Sequence, residues 1–212
     1  MFHVEQSLRM TIRREKWYSL EQRFLISCKC MGKGHMNERE EMIREKIETE
    51  ELIEGAQLKG IREEIHEILI RKKGFGQGEI EIDPAFRIKV ANSDANVTVD
   101  FAIKLTSEYL MVIKCVSTGI ESWERYVLSF ARAAEDYQIP YAAVTDGISI
   151  KLFDAISGSL LSESLDDFFD RKKLTELISD FKKIRRSEKN LDRERRIIYA
   201  FENIKCPPSK SR

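Results

Sequence analysis

This 212-residue chain has no charge imbalance, no cysteine framework and no long apolar run. With 36 Lys and Arg against 36 Asp and Glu, no global field draws it to nucleic acid or to a membrane. Its cysteines, Cys28, Cys30, Cys115 and Cys206, lack framework spacing. That excludes a disulfide scaffold and points to a reducing compartment. Cys28 and Cys30 form a C-x-C with no second pair to complete a four-ligand zinc site. No apolar stretch approaches the ~20 residues of a membrane span, and the N-terminus has no apolar signal core. A cytoplasmic protein without membrane contact is the expectation. A G-x-x-x-x-G-K-[ST] phosphate loop is also missing.

What is present fits one domain with appendages. Residues 1–35 hold 7 basic and 3 acidic side chains with little periodicity. They read as an extension, either a short element packing Trp17, Phe24 and Leu25 or a poorly ordered arm; initiation at Met36 is the other reading. From Asn37 to about Lys73 the pattern is helical, with Gly55 and Gly60 suggesting a break into two helices. In the second, Ile61, Ile65, Ile68 and Leu69 form one apolar stripe with Glu64 at its edge, and His66 falls off it. EIEI and RIKV follow as strands, and ANSDAN as a turn of a hairpin into VTVDFAIKL.

The centre of the chain reads VTVDFAIKL, EYLMVIKCV, a helical ESWERYVLSFARAAEDYQ, and IPYAAVTDG. Two strands, a crossover helix and a third strand make a βαβ unit, in which LMVI and YAAV suit strands covered on both faces. ISIKLFD and SLLSE form a terminal hairpin. The fold expected is therefore α/β, a central mixed sheet flanked by helices, with extra N- and C-terminal helices. Residues 36–165 make the α/β domain and 166–212 a helical appendage.

Asp100 and Lys114 interrupt this apolar centre. An ionised Asp is expensive to bury unless it is paired or bound to metal. One reading is a buried ion pair across adjacent strands. The other is a metal-dependent phosphodiester site, in which acids hold a hard divalent cation and a lysine activates water or offsets phosphate charge.

The order helix, hairpin strand with Asp, strand with a charged residue, helix, strand resembles the PD-(D/E)XK, restriction-endonuclease-like fold. Within it the chain looks most like the N-terminal domain of the type I restriction enzyme R subunit. The resemblance covers about residues 58–165, through IREEIHEILIRKKGFG, VDFAI, LMVIKCV, ESWERYVLSFARAAEDYQIPYAAVTDG and KLFDAISGSLL. It implies a nuclease using Mg²⁺, with Asp100 matching the first acid and the next strand carrying acid-x-Lys. Here that strand departs. With Ser117 marking its end, Lys114 takes the acid position and Val116 the lysine position; shifted by two residues, Val112 and Lys114 take them.

Neither register supplies a second strand carboxylate. A working metal site of Asp100 and Lys114 therefore needs a migrated acid: Glu81, Glu121, Glu124 or Glu64. Without one, the same scaffold is a catalytically inactive nucleic-acid-binding or oligomerisation module. DNA is the partner implied, with a homodimer or a further chain supplying other functions, including the motor that accompanies such domains in restriction enzymes.

Charge is unevenly distributed. Residues 97–165 hold 5 basic and 9 acidic side chains, whereas residues 166–212 hold 14 and 9. Two helices are expected in this tail, DDFFDRKKLTELISDFKKIRRSE and LDRERRIIYAFENI. The first carries a Leu174, Leu177, Ile178, Phe181, Ile184 stripe and the second an Ile197, Ile198, Phe201 stripe. Arg125 and Arg132 of the central helix, with Lys182, Lys183, Arg185 and Arg186 of the tail, are the candidate phosphate contacts; Arg193, Arg195 and Arg196 extend the set.

Overall fold

The computed structural model describes residues 38–90, 93–179 and 181–204. The expectations for residues 1–35 and for Cys206 lie outside them. The chain divides between Glu50 and Glu51, and in the first unit the described side chains are exposed helix.

One helix, α1, runs Glu38–Arg71 without a break. The interruption expected at Gly55 and Gly60 does not occur. Each glycine weakens a helix by about 1 kcal/mol, less than opening several backbone hydrogen bonds would cost. Past Leu58 the helix is also held by packing, as Ile65 and Leu69 are buried and Ile61 and Ile68 partly so. Its end is closed by backbone hydrogen bonds: the Lys73 N–H donates to the Ile68 carbonyl at 3.0 Å, the Phe75 N–H donates to the Leu69 carbonyl at 3.1 Å, and Gly74 takes φ 74°. Phe75 and Leu69 then bury together in one apolar cluster.

A 3-10 turn, Gln77–Glu79, leads into β1 (Ile80–Ile82), β2 (Ala85–Val90), β3 (Ser93–Thr98), β4 (Phe101–Leu105) and β5 (Glu108–Cys115). Helix α2 (Ile120–Ala133), β6 (Tyr141–Thr145), β7 (Ile150–Asp154), β8 (Leu160–Ser162), α3 (Arg171–Ile178) and α4 (Glu188–Ile204) complete the order. Six strands make one mixed sheet, ordered β1-β4-β5-β6-β7-β8. Among the described residues only the β5–β6 pair is parallel, as a crossover through α2 requires. The α/β class, the βαβ unit and the terminal β7–β8 hairpin are as expected.

VTVDFAIKL is not one strand. It breaks at Val99 and Asp100, where the Asp100 carbonyl accepts the Asp83 N–H at 3.1 Å. Asp83 takes φ 52°, and Pro84 has no N–H to give a ladder. These paired breaks turn the β2–β3 hairpin off into its own two-stranded sheet. Its Phe86, Ile88, Val97 and Val99 then join the core on the α2 face.

Two apolar clusters flank the sheet. One contains Ile65, Leu69, Phe101, Ile103, Met111, Ile113, Phe168 and Leu174, from the C-terminal half of α1, the sheet and the segment around α3. The other contains Val112, Tyr126, Val127, Phe130, Leu191 and Ile198, from the sheet, α2 and α4. Helix α3 ends at Ile178, short of the expected length, because tertiary contacts claim residues 181 and 184 beyond it. Phe181 packs edge-on to Tyr137, and the Ile184 carbonyl accepts the Gln138 N–H at 2.8 Å.

Candidate functional site

Asp100 sits at the start of β4 and Lys114 near the end of β5, both buried, at 4% and 8% exposure. Antiparallel register sets Phe101 against Ile113, which puts the two charged residues side by side. Lys114 Nζ donates to Asp100 Oδ2 at 2.7 Å, and the same oxygen accepts the Cys115 N–H at 2.9 Å. Strand alternation turns Lys114 to the α2 face, where its ammonium stands 5.7 Å from the Trp123 ring.

The second carboxylate oxygen faces a residue not expected at the site. Arg62 of α1 places Nε 3.4 Å from Asp100 Oδ1 and donates through Nη2 to Asp83 Oδ1 at 2.6 Å. Its guanidinium also lies 5.9 Å from the Phe101 ring, beside which His66 is stacked. Arg62 follows directly on Ile61 at the edge of the apolar stripe, a position from which a long basic side chain reaches buried charge; that was the available signal. The Cys115 thiol beside them is pushed up from its ordinary pKa by burial first and the Asp100 carboxylate second, so it stays protonated.

The structure brings Asp100 and Lys114 together and pairs Glu81, Glu121 and Glu124 with other groups. Glu81 accepts from the Tyr109 hydroxyl at 2.6 Å and from Lys104 at 3.3 Å. Glu124 and Glu121 lie 2.6 and 3.5 Å from Lys151. Glu64 is exposed at the surface of α1. Among the described residues no three His, Cys, Asp or Glu side chains group as metal ligands. Mg²⁺ takes oxygen ligands in near-octahedral order, commonly one or two carboxylates with waters and substrate. A single Asp whose oxygens already face an ammonium, a guanidinium and an amide does not fit that ion.

The candidate phosphate contacts divide into two groups. Arg125 donates to Glu194 at 2.8 Å, while Arg132 and Arg186 lie 3.7 and 3.5 Å from the same carboxylate. Ser129 donates to Glu194 at 2.8 Å. Arg132 also donates to the Ala155 carbonyl at 2.6 Å, and Arg186 to Gln138 Oε1 at 2.6 Å. Burial first, then repulsion from Arg186, lowers the Arg132 pKa from its ordinary value. These three arginines thus tie α2, α4 and the β7–β8 turn together. Lys182 is exposed, Lys183 pairs with Glu108 at 2.8 Å and Arg185 with Glu188 at 3.0 Å. Glu194 itself went unread, although with Leu191 and Ile198 it falls at i, i+3 and i+7 on the buried stripe of α4.

The mixed sheet, with a buried aspartate and lysine meeting where β4 begins and β5 ends, lies within the stretch that matches a known family. The chain belongs to the family described as the type I restriction enzyme R protein N terminus (HSDR_N), whose model matches residues 59–168. Among solved structures, a fragment described as a putative HsdR subunit of a type I restriction enzyme from Vibrio vulnificus YJ016 is similar at 17% identity and a TM-score of 0.39. The likeness covers 52% of this chain and 23% of that one. No curated protein matches the sequence. Among the described residues no helix is long and apolar enough to cross a membrane.

Proposed function

We propose that this chain is a DNA-acting module related to type I restriction systems, one that engages DNA without metal-dependent cleavage. The observation that carries the reading is the state of Asp100: Lys114 at 2.7 Å and Arg62 at 3.4 Å take its two carboxylate oxygens, one each. Without a β5 carboxylate beside Lys114, where Val112 and Val116 share its face, the donor set for Mg²⁺ is incomplete. The ion pair instead neutralises the strand acid and fixes α1 to the sheet. As a partner subunit or a homodimer it would act beside the motor and sequence-recognition functions of such a system.

The test combines two assays on the same preparation. Supercoiled and linear plasmid are incubated with Mg²⁺ or Mn²⁺ and either wild type or Asp100→Ala, and binding to a 20-base-pair duplex is titrated against salt. No cutting by either protein, with affinity falling steeply as salt rises, is the expected result. Metal-dependent cutting by wild type that is lost in Asp100→Ala would overturn it. Glu64, Glu81, Glu121 and Glu124 would then be searched for the missing ligand.

A further inference from the structure

We infer that the solvent face of α4 is the strip on which duplex DNA lays its phosphate backbone. The inference rests on the DNA-acting reading above and names the surface that serves it. On α4, Leu191, Glu194 and Ile198 are buried at 3%, 3% and 0% exposure. On the opposite side Lys189, Arg193 and Arg196 are arrayed at i, i+4 and i+7. At 1.5 Å of rise per residue these three charges span about 10 Å, and one DNA strand presents a phosphate about every 3.4 Å of helix axis, so about three phosphates lie within reach.

Pairing within the strip is sparse. Asp192 takes Arg196 at 2.9 Å, and Glu188 takes Arg185 at 3.0 Å and Arg195 at 3.6 Å. Among the described residues Lys189 and Arg193 have no ion-pair partner, and exposed Lys182 and Arg185 lead into the helix. Most charge runs on helices are merely solvated, but this helix is rigidly displayed. Its buried acid is held by three arginines and Ser129, while Phe201 packs on Trp123 and Tyr126. Fixed spacing is what lets several weak phosphate contacts act at once. The same network explains why Arg125, Arg132 and Arg186 are poor candidates for phosphate contact, since their charge is directed inward.

The full chain is tested by fluorescence anisotropy with a labelled 20-base-pair duplex over a salt series. A triple variant, Lys189→Gln with Arg193→Gln and Arg196→Gln, is compared with a charge-matched control, Lys59→Gln with Lys72→Gln and Lys172→Gln, which removes exposed lysines on α1, its end and α3. The α4 variant should bind at least tenfold more weakly at 100 mM salt. Each lost phosphate contact reduces the steepness of log affinity against log salt by about 0.9, so loss of all three should reduce it by about 2.7. The control should stay within about twofold, and thermal midpoints of both variants should match wild type. Equal losses in both variants, or an unchanged α4 variant, would sink the α4 assignment while leaving the DNA-acting reading in place. Absence of salt-sensitive binding by wild type would sink both.

Discussion

Replacing Glu194 with glutamine should be among the most damaging single changes this chain can suffer away from its apolar core. The carboxylate is nearly inaccessible, and three guanidiniums and a hydroxyl converge on it. Their shares differ. The Arg125 side chain is 41% exposed, so solvent screens it and its pair contributes no more than about 1 kcal/mol. Arg132 is only 8% exposed, and removing the partner of a buried charge typically costs about 3–5 kcal/mol. Gln keeps the shape and one acceptor oxygen, which puts the expected loss at the lower end, about 3 kcal/mol. For a chain of this length that corresponds to roughly 6–12 °C in melting temperature. Urea denaturation at pH 7 should show a lower midpoint with an unchanged slope. A double variant, Glu194→Met with Arg132→Met, should recover part of the loss, since an apolar pair need not neutralise anything. A loss below 1 kcal/mol for Glu194→Gln would refute the argument that this carboxylate holds α4 in place.

Three further changes test other parts of the molecule. Gly158 has φ 83°, and an added Cβ would come within 2.9 Å of Arg132 Nη2; Gly158→Ala should cost about 2 kcal/mol by strain and by displacing that guanidinium, and a neutral result in urea titration would contradict the packing. The Glu135 pKa is raised from 4.5 by burial first, with Asp136 repulsion adding to it. Its proton favours the folded state, so its contribution is present below 4.5 and lost as pH rises through the folded value. Glu135→Gln should flatten stability against pH between 4.5 and the raised folded value and leave the protein at least as stable at pH 7. Asp100→Ala strands a buried ammonium and should cost about 3–5 kcal/mol, whereas Asp100→Leu with Lys114→Met should cost distinctly less; equal losses in thermal melts would show that Lys114 does not depend on Asp100.

The sheet was legible because its strands are apolar on both faces and its crossover helix has a clean core side: Val112, Ala142 and Val144 occupy the interior the pattern assigned them. What the pattern misjudged were interruptions. Gly55 and Gly60 signal a break on local propensity, yet hydrogen bonding and the packing beyond Leu58 outweigh them. Asp100 signals chemistry but also ends a strand, because its carbonyl and carboxylate accept the Asp83 and Cys115 amides. Periodicity carries no information about such side-chain captures. Arg62 shows the same limit: its place at the edge of the apolar stripe was visible, but its partners lie 21 and 38 residues away in sequence.

The charge balance around Asp100 limits what the site can attract. Arg62 and Lys114 supply two positive charges, and Asp83 and Asp100 two negative ones, so the quartet is neutral as it stands. A divalent cation entering it would meet two resident cations on the carboxylate it needs. A DNA phosphate would meet two carboxylates already satisfied by the groups that would otherwise receive it. Both are unfavourable in a partly dry site, where unbalanced charge is least screened. A cluster with this arrangement therefore offers little electrostatic attraction to metal or phosphate. On the proposed function, affinity for DNA then arises where charge is unbalanced and accessible. Among the described residues the exposed side of α4 meets that condition, with Lys189 and Arg193 unpaired on a helix whose other side is pinned through Glu194.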